Sequence, residues 1–270
     1  MSRPSVLITG ASSGIGAASV RRLLQRRWQV FAAARRLEAM APLAAAGAEV
    51  LHLDIRDPES RAALAATVTE RVGALDALVN NAGFGEVGAL ETMELDRARA
   101  IFEVNVFGLM GLTQLLLPPM RERRRGRLVQ VSSIAGQWIT PGSGWYGASK
   151  FALEALSDGL RLELAAFGLQ VVVVEPGLIA TDFAAVAAPS IERARACPVY
   201  GGMMQRVRQG WDAVYRGASP PEVVAAAIER ALTEAAPPDR ILCGHRAGSV
   251  IARRLLPTRL WDRIIRSQMT

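Results

Sequence analysis

The chain has 270 residues, of which 50% are hydrophobic, and it carries a formal net charge of +7. This length and apolar fraction suffice for one large core, so a single domain over residues 1–270 is expected. A basic chain can bind nucleic acid or anionic lipid, but these arginines are scattered through helical segments without a long basic tail, which argues against nucleic acid. Two cysteines without metal or redox spacing predict no metal site and a reducing, cytoplasmic location.

Short apolar runs alternate with longer amphipathic segments along the chain. The predicted strands are Ser5–Thr9, Gln29–Ala34, Glu49–Asp54, Ala77–Asn80, Arg127–Ser132, Leu169–Glu175 and Arg240–Cys243. The predicted helices are Ile15–Arg27, Pro58–Val72, about Glu94 to Arg123, Trp145–Phe167 and Pro221–Glu234. Strands that are apolar throughout are buried on both faces, and their alternation with helices predicts an α/β fold with a doubly wound parallel sheet of about seven strands.

Three segments stand apart from this alternation. The N-terminal apolar run stops at Gly10, which is too short for a signal peptide, and no stretch of about 18 uncharged apolar residues indicates a membrane span. Residues of about 178–219 interrupt the pattern and are expected to form an excursion over one edge of the sheet. Residues of about 246–270 are expected to form a helical tail.

A glycine-rich loop, Thr9–Gly16, joins the first strand to the first helix. Its glycines let the backbone turn sharply and approach a pyrophosphate, and the helix N-terminus supplies free N–H groups. Such a turn can be merely structural, but at this junction it predicts dinucleotide binding. The predicted contacts are Gly10, Ser12, Ser13, Gly14, Ile15 and Gly16.

The end of the second predicted strand indicates which dinucleotide binds. NAD enzymes usually have a carboxylate there that accepts from the ribose 2′-hydroxyl, but here Arg35 and Arg36 follow Ala34. A guanidinium suits a 2′-phosphate, so NADP(H) is predicted in preference to NAD(H), with Arg35 as the first choice for that contact. The alternative is that both arginines are solvated residues that open a helix.

Lys150 is the only lysine in the chain, and it lies four residues after Tyr146. On a helix the two side chains share one face, and an ammonium held beside a phenol lowers the phenol's pKa. Chance survival of one surface lysine in an arginine-rich chain is the alternative.

Four motifs together resemble the short-chain dehydrogenase/reductase family. These are Thr9–Gly16, Asn80-Asn81-Ala82-Gly83, Tyr146-x-x-x-Lys150 and Pro176-Gly177, and the resemblance covers about residues 5–182. It implies a single-domain Rossmann-type fold. The sequence after Asn80 and the C-terminal tail look like the hydroxysteroid-dehydrogenase branch, which shades into retinol dehydrogenases.

The resemblance implies a catalytic set of Asn105, Ser133, Tyr146 and Lys150. Tyr146 would be the general acid when a carbonyl is reduced and the base in reverse, with its pKa lowered by Lys150. Ser133 would hydrogen-bond the substrate oxygen. Asn105 would hold a water that links Lys150 to solvent for a proton relay.

The resemblance also implies further cofactor contacts. Asp54 and Ile55 would flank the adenine, and Lys150 would also reach the nicotinamide ribose. The remaining expected contacts are Asn81, Ala82, Gly83, Tyr146, Pro176, Gly177, Ile179 and Thr181.

The substrate site is expected between Ser133–Gly144, Phe84–Gly88 and the 178–219 excursion. Mostly apolar candidates favour a hydrophobic ketone, aldehyde or alcohol, of steroid, retinoid or lipid type, although they can equally pack a loop. The predicted substrate contacts are Ser133, Gln137, Tyr146, Phe183, Tyr200, Met203 and Met204, with Trp138 as a further candidate.

Other interpretations of the chain stay open at this point. The tail 246–270 could lie on an anionic membrane surface, but folding back over the substrate site or packing on a subunit is favoured. A homo-oligomer, dimer or tetramer, is expected by analogy with the family. A catalytically silent NADPH-binding sensor or scaffold is the alternative function, although such proteins usually lose the tyrosine or the lysine.

Overall fold

A computed structural model describes residues 3–267, with the side chains of residues 212–214 left out. Residues 1–2 and the last three residues of the predicted tail, 268–270, lie outside this description. Seven strands form within the described range: β1 Ser5–Thr9, β2 Gln29–Ala34, β3 Glu49–His52, β4 Ala77–Asn80, β5 Gly126–Val131, β6 Leu169–Pro176 and β7 Arg240–Cys243.

The helices are α1 Gly14–Gln25, α2 Ala41–Ala45, α3 Pro58–Val72, α4 Leu95–Phe102, α5 Leu109–Glu122, α6 Gly144–Ala165, α7 Phe183–Arg195, α8 Gly201–Tyr215, α9 Pro221–Thr233, α10 Ser249–Leu255 and α11 Thr258–Ser267. The strands pair in parallel in the order β3-β2-β1-β4-β5-β6-β7, which confirms the predicted doubly wound sheet. The order reverses direction beside β1, where ligands bind in sheets of this kind.

Both faces of the sheet are covered, as continuous apolar strands require. In β1, Val6 and Ile8 contribute to one core with α1 and α9, and Leu7 points to the other core with α3, α5 and α6. The start of α3 is fixed by a capping residue: the Asp57 side chain accepts from the backbone N–H groups of Glu59 and Ser60.

The predicted helix from Glu94 to Arg123 contains a feature that its periodicity does not reveal. A π-helical turn, Glu103–Gly108, separates α4 from α5 and holds Asn105 in a fully buried position. π-Turns inside α-helices are frequent at functional sites. The turn therefore marks Asn105 as a residue whose placement departs from regular helix geometry.

The continuous segment Leu95–Glu122 is long and apolar enough to cross a membrane by length and composition alone. Nearly half of the most apolar 18 residues of this segment are buried inside the protein, and the segment packs against α3 and α6. Because a core helix passes the same test, this property carries little weight as evidence for a membrane span.

The 178–219 excursion contains α7 and α8, and the tail contains α10 and α11. The tail folds back onto the protein, as the sequence analysis favours: Trp261 packs edge-on against Trp138 with ring centroids 5.2 Å apart, and Trp138 Nε1 donates to Ser249 Oγ at 3.0 Å. Ile265 of α11 is buried and reaches the cavity described below.

Candidate active site

The carboxyl end of β5, the first turns of α6 and the π-turn between α4 and α5 bring the four predicted catalytic residues into one region. Ser133 follows β5, while Tyr146 and Lys150 lie one turn apart on α6. Lys150 is buried, its Nζ donates to the carbonyl of Val131 at 2.9 Å, and Nζ lies 6.0 Å from the centre of the Tyr146 ring. The predicted shared face of Tyr146 and Lys150 is therefore present.

The pKa of the phenol differs from the sequence expectation. Burial raises the pKa of Tyr146 to about 12, although a hydrogen bond with Ser133 opposes this shift. Burial also lowers the pKa of Lys150 to about 8, and the charge of Glu154 opposes that change. Desolvation outweighs the favourable charge that the sequence suggests, because the ammonium donates to a backbone carbonyl rather than to the phenol. In the protein by itself, Tyr146 is therefore a protonated acid at neutral pH.

Asn105 uses its side chain to hold backbone. Its Oδ1 accepts from Phe84 N at 3.0 Å, and its Nδ2 donates to Phe84 O at 2.9 Å and to Ser149 Oγ at 3.0 Å. A Cβ built on Gly83 would lie 3.2 Å from Asn105 Oδ1 and 3.6 Å from Lys150 Nζ, which places both groups beside Gly83. Within the residues described, the side chain is thus engaged in bracing the site; the water relay stays a prediction.

The loop between β1 and α1 has the shape that a dinucleotide needs. Gly10 and Gly14 have positive φ angles of 67° and 52°, and a Cβ on Gly16 would come within 2.3 Å of the Gly10 carbonyl oxygen. Ser13 precedes α1 without a side-chain cap, so the first N–H groups of the helix are left for an anion. The chemistry of this cradle fits a pyrophosphate.

The walls of the cradle come from three neighbouring segments. Asn81 Nδ2 donates to the Thr9 carbonyl at 2.9 Å, and Thr9 Oγ1 accepts from the amides of Asn81 and Ala82 at 3.0 Å each, which fixes the Asn81–Gly83 loop against Gly10. Thr181 lies against Gly14, since a Cβ there would be 3.0 Å from Thr181 Cγ2.

Two arginines stand where a 2′-phosphate is predicted. Arg35 and Arg36 are exposed directly after β2, and Arg36 Nη2 donates to Ser12 Oγ at 3.2 Å, so its guanidinium already lies over the loop. Arg35 is the predicted contact of the 2′-phosphate, but Arg36 is the residue that contacts the loop directly.

Asp54 and Ile55 follow β3, where the adenine contacts are expected. Asp54 is paired with Arg56, whose hydrogen bonds lower the pKa of that carboxyl to about 2. Ile55 is buried, and its carbonyl accepts from Arg61 at 2.7 Å.

Comparison with known proteins agrees with this geometry. The sequence profile of the short chain dehydrogenase family matches residues 4–191. The chain belongs to the short-chain dehydrogenase family. Its relatives include estradiol 17-beta-dehydrogenase 1 of Rattus norvegicus, 43% identical over 190 residues that make up 66% of this chain and 55% of the rat protein. The chain thus aligns with little more than half of that relative's length.

Two solved structures extend the likeness over most of the chain. A short-chain dehydrogenase from Streptomyces avermitilis superposes with a TM-score of 0.84 at 36% identity, covering 99% of this chain and 98% of that one. Serine dehydrogenase complexed with NADP+ superposes with a TM-score of 0.75 at 27% identity, covering 88% and 93%. Within this family the chain belongs to the hydroxysteroid and retinol dehydrogenase-like branch.

A cavity of about 460 Å³ opens over Ser133 and Tyr146. Phe183 packs against Tyr146 with ring centroids 5.2 Å apart, and the end of β6 and the loop after it, from Pro176 to Thr181, border the same space. Of the predicted residues, this cavity is lined by Ile15, Ser133, Trp138, Tyr146, Pro176, Gly177, Ile179, Thr181 and Phe183.

Four predicted substrate contacts do not line this cavity, which corrects the sequence analysis. Gln137 is engaged elsewhere, because its Nε2 donates to Glu175 at 2.7 Å. Met204 is fully buried in a packing cluster between α7 and α8. Tyr200 donates to Glu91, and it lines a neighbouring cavity of about 500 Å³ together with Met203.

Other residues take their place in the lining. The main additions are Val87, Thr140, Val207, Trp211, Tyr215 and Ile265. The sequence contains one usable signal for them, the spacing of Val207, Trp211 and Tyr215 at four residues along a helix. Which face of that helix turns inward depends on tertiary packing.

Proposed function

We propose that this chain is an NADP(H)-dependent oxidoreductase that interconverts a hydrophobic ketone or aldehyde and its alcohol, with Tyr146 as the general acid or base. The observation that carries the proposal is that Ser133 and Tyr146 open into a largely apolar cavity beside a cradle suited to a dinucleotide. A relative named for estradiol supports a steroid-, retinoid- or lipid-like substrate.

The side chains divide the chemistry between them. Ser133 and Tyr146 both face the space where a substrate oxygen would lie, so each can hydrogen-bond it. The phenol of Tyr146 is protonated at neutral pH, so it holds the proton that a reduced carbonyl oxygen needs. Lys150 supplies positive charge close behind the phenol and favours charge developing there.

The nicotinamide cofactor, when bound, supplies or accepts the hydride. Residues of the Thr9–Gly16 loop would hold its pyrophosphate, and Arg35 and Arg36 would pair with a 2′-phosphate. The solved relative with NADP+ supports this preference over NAD(H).

Two features support the expected assembly and location. The π-turn before α5 exposes Phe107, and α6 exposes Phe151 and Leu162, large apolar side chains that a second copy in a dimer or tetramer could cover. Both cysteines are free thiols, which supports a cytoplasmic location. No observation favours a catalytically silent sensor, since Tyr146 and Lys150 are both in place.

The decisive test is the Tyr146→Phe variant, assayed with a panel of hydrophobic ketones and aldehydes at the nicotinamide absorbance. We expect at least a hundredfold loss of turnover, roughly the contribution of one acid–base group. Affinity for NADPH should stay within about twofold, because only the hydroxyl is removed. Wild-type turnover in Tyr146→Phe would refute the role of Tyr146, and no turnover by the wild type on any carbonyl would refute the activity.

A further inference from the structure

One face of α8 forms a wall of the substrate cavity along most of the helix. The lining residues are Arg206, Val207, Gly210, Trp211 and Tyr215, which recur at intervals of one, three or four positions and lie on one side of a helix. Because both ends of this series line the same space, α8 runs along the cavity rather than crossing it.

The Tyr215 end of this wall is the catalytic end. Four residues after Tyr215, Ser219 pairs with the loop after β6: its N donates to Leu178 O at 3.0 Å and its O accepts from Ala180 N at 2.8 Å. This loop lines the same cavity as Tyr146, and Trp211 packs against Tyr215 with ring centroids 5.4 Å apart. The reacting carbon of a substrate therefore belongs beside this end of α8.

Arg206 stands at the other end of the same wall. It lies nine positions before Tyr215 on α8. At 1.5 Å per residue this separation is about 13 Å along the helix axis. Within the part of the chain that the structure describes, Arg206 makes no ion pair or hydrogen bond, whereas its neighbour on the helix, Arg208, pairs with Glu192.

The other charged side chains that line the cavity do not neutralise the positive charge of Arg206. Glu86 also lines the cavity, but its carboxylate is bound by Arg97 at 2.6 Å and by Arg193 at 3.1 Å. Arg246 adds a second cation to the lining. Between the two ends the wall is apolar, with Val207 and Trp211 facing the space.

We propose that the preferred substrate is a hydrophobic carbonyl compound that carries a carboxylate roughly 13 Å from the reacting carbon, and that Arg206 binds this carboxylate. This inference rests on the proposed function and deepens it, because it names the class of substrate. It also adds a charged group to the hydrophobic ketone, aldehyde or alcohol that the sequence favours. The guanidinium suits the role because its planar fork of donors matches a carboxylate.

The test compares 12-oxododecanoate, whose extended chain spans such a distance, with its methyl ester and with the shorter 6-oxohexanoate. Arg206 is exposed, so in the wild type we expect the KM for the long carboxylate to lie about fivefold below that of its ester, from one solvent-accessible ion pair. The KM for 6-oxohexanoate should equal that for its own methyl ester, because its carboxylate cannot reach Arg206.

Three variants separate binding at Arg206 from general effects of charge. Arg206→Gln should raise the KM for 12-oxododecanoate about fivefold while leaving its kcat, and the kcat and KM for the ester, within about twofold. Arg206→Lys should restore part of the affinity. Arg208→Gln, on the same helix but outside the lining, is the matched control and should behave as the wild type.

Binding of 12-oxododecanoate is also measured directly by quenching of tryptophan fluorescence, since Trp211 lines the cavity. Equal binding by wild type and Arg206→Gln would overturn the inference, whether or not the probe is turned over. Turnover of the ester with no advantage for the carboxylate would overturn it too, and would leave the proposed function standing. Absence of turnover for every probe, with Arg206-dependent binding, would count against the proposed function alone.

Discussion

Asn105 binds the backbone of Phe84 through both atoms of its amide group: Oδ1 accepts from Phe84 N at 3.0 Å and Nδ2 donates to Phe84 O at 2.9 Å. The second Nδ2 proton goes to Ser149 Oγ, which in turn donates to the Tyr146 carbonyl at 2.6 Å. One side chain thus ties the loop after β4 to the first turn of α6, and so helps to set the position of Tyr146.

Replacing Asn105 should loosen both attachments. Asn105→Ala leaves the two backbone groups of Phe84 and the Ser149 hydroxyl without this partner, so we expect a loss of about 2–4 kcal/mol in the free energy of unfolding, measured with urea. Turnover should fall further than nucleotide affinity, because Tyr146 loses its brace. Ser149→Ala removes a single attachment and should cost only about 1 kcal/mol. Wild-type stability of Asn105→Ala would contradict the bracing role.

The pKa of Lys150 can be measured directly, because it is the only lysine. A sample labelled with ¹³C-lysine gives one set of side-chain resonances, whose shift we expect to titrate near pH 8 rather than at the usual 10.5. Burial of the ammonium is the main cause. The same sample unfolded in urea is the control and should titrate near 10.4.

The lowered pKa of Lys150 also fixes the sign of a stability effect. Between pH 8 and 10.5 the unfolded chain binds a proton that the folded protein has released, so this group's contribution to stability rises with pH over that window. Tyr146 and Tyr215, whose pKa values are raised to about 12, act in the opposite direction above pH 10. A folded-state titration of Lys150 near 10.5 would contradict the desolvation argument.

Glu175, at the end of β6, gives a pH prediction near neutrality. Its side chain accepts from Gln137 at 2.7 Å and lies 3.5 Å from Arg240, yet burial, with repulsion from Glu154 next, raises its pKa to about 7. Since the unfolded value is near 4.5, this group's contribution to stability is full below pH 4.5 and is lost as pH rises through 7.

Glu175→Gln should therefore flatten part of the pH dependence. As the pH rises from 5 to 8, the free energy of unfolding of the variant should increase relative to that of the wild type by on the order of 1–3 kcal/mol. Thermal unfolding at a series of pH values measures this difference. Asp158→Asn is the matched control at the same arginine, because Arg240 lowers the pKa of Asp158 and that pairing stabilises the protein at neutral pH. It should destabilise at pH 8, and a parallel response of the two variants would disprove the assignment.

The sequence predicts the parts of this site that depend on local pattern. The glycine loop, the spacing of Tyr146 and Lys150 and the seven strands follow from periodicity and from short motifs, and the strand order and the shared face confirm them. The inward face of α8 and the π-turn around Asn105 depend on how distant elements pack. For the same reason the raised pKa of Tyr146 could not be predicted, since desolvation is a property of the folded surroundings.

We propose that two adjacent arginines select the dinucleotide. Arg35 follows β2 directly, but Arg36 is the residue whose guanidinium reaches Ser12 in the phosphate loop, at 3.2 Å. Both are exposed, so each can pair with a 2′-phosphate at the modest strength of a solvent-accessible ion pair. A 2′-phosphate that lies between the two guanidiniums can pair with both. We therefore expect Arg36 to bind the phosphate together with Arg35, the residue that the sequence favours.

We expect Arg35→Gln and Arg36→Gln each to raise the Kd for NADPH about fivefold, and the double variant to raise it by more than either. The Kd for NADH should change by less than about twofold, because NADH has no 2′-phosphate for a guanidinium to bind. Arg21→Gln, which removes the same charge from an exposed position on α1, is the control for net charge. Raising the salt concentration should narrow the difference between the two nucleotides in the wild type, because exposed pairs are screened. Equal losses for NADPH and NADH would show instead that the arginines act on the shared part of the dinucleotide.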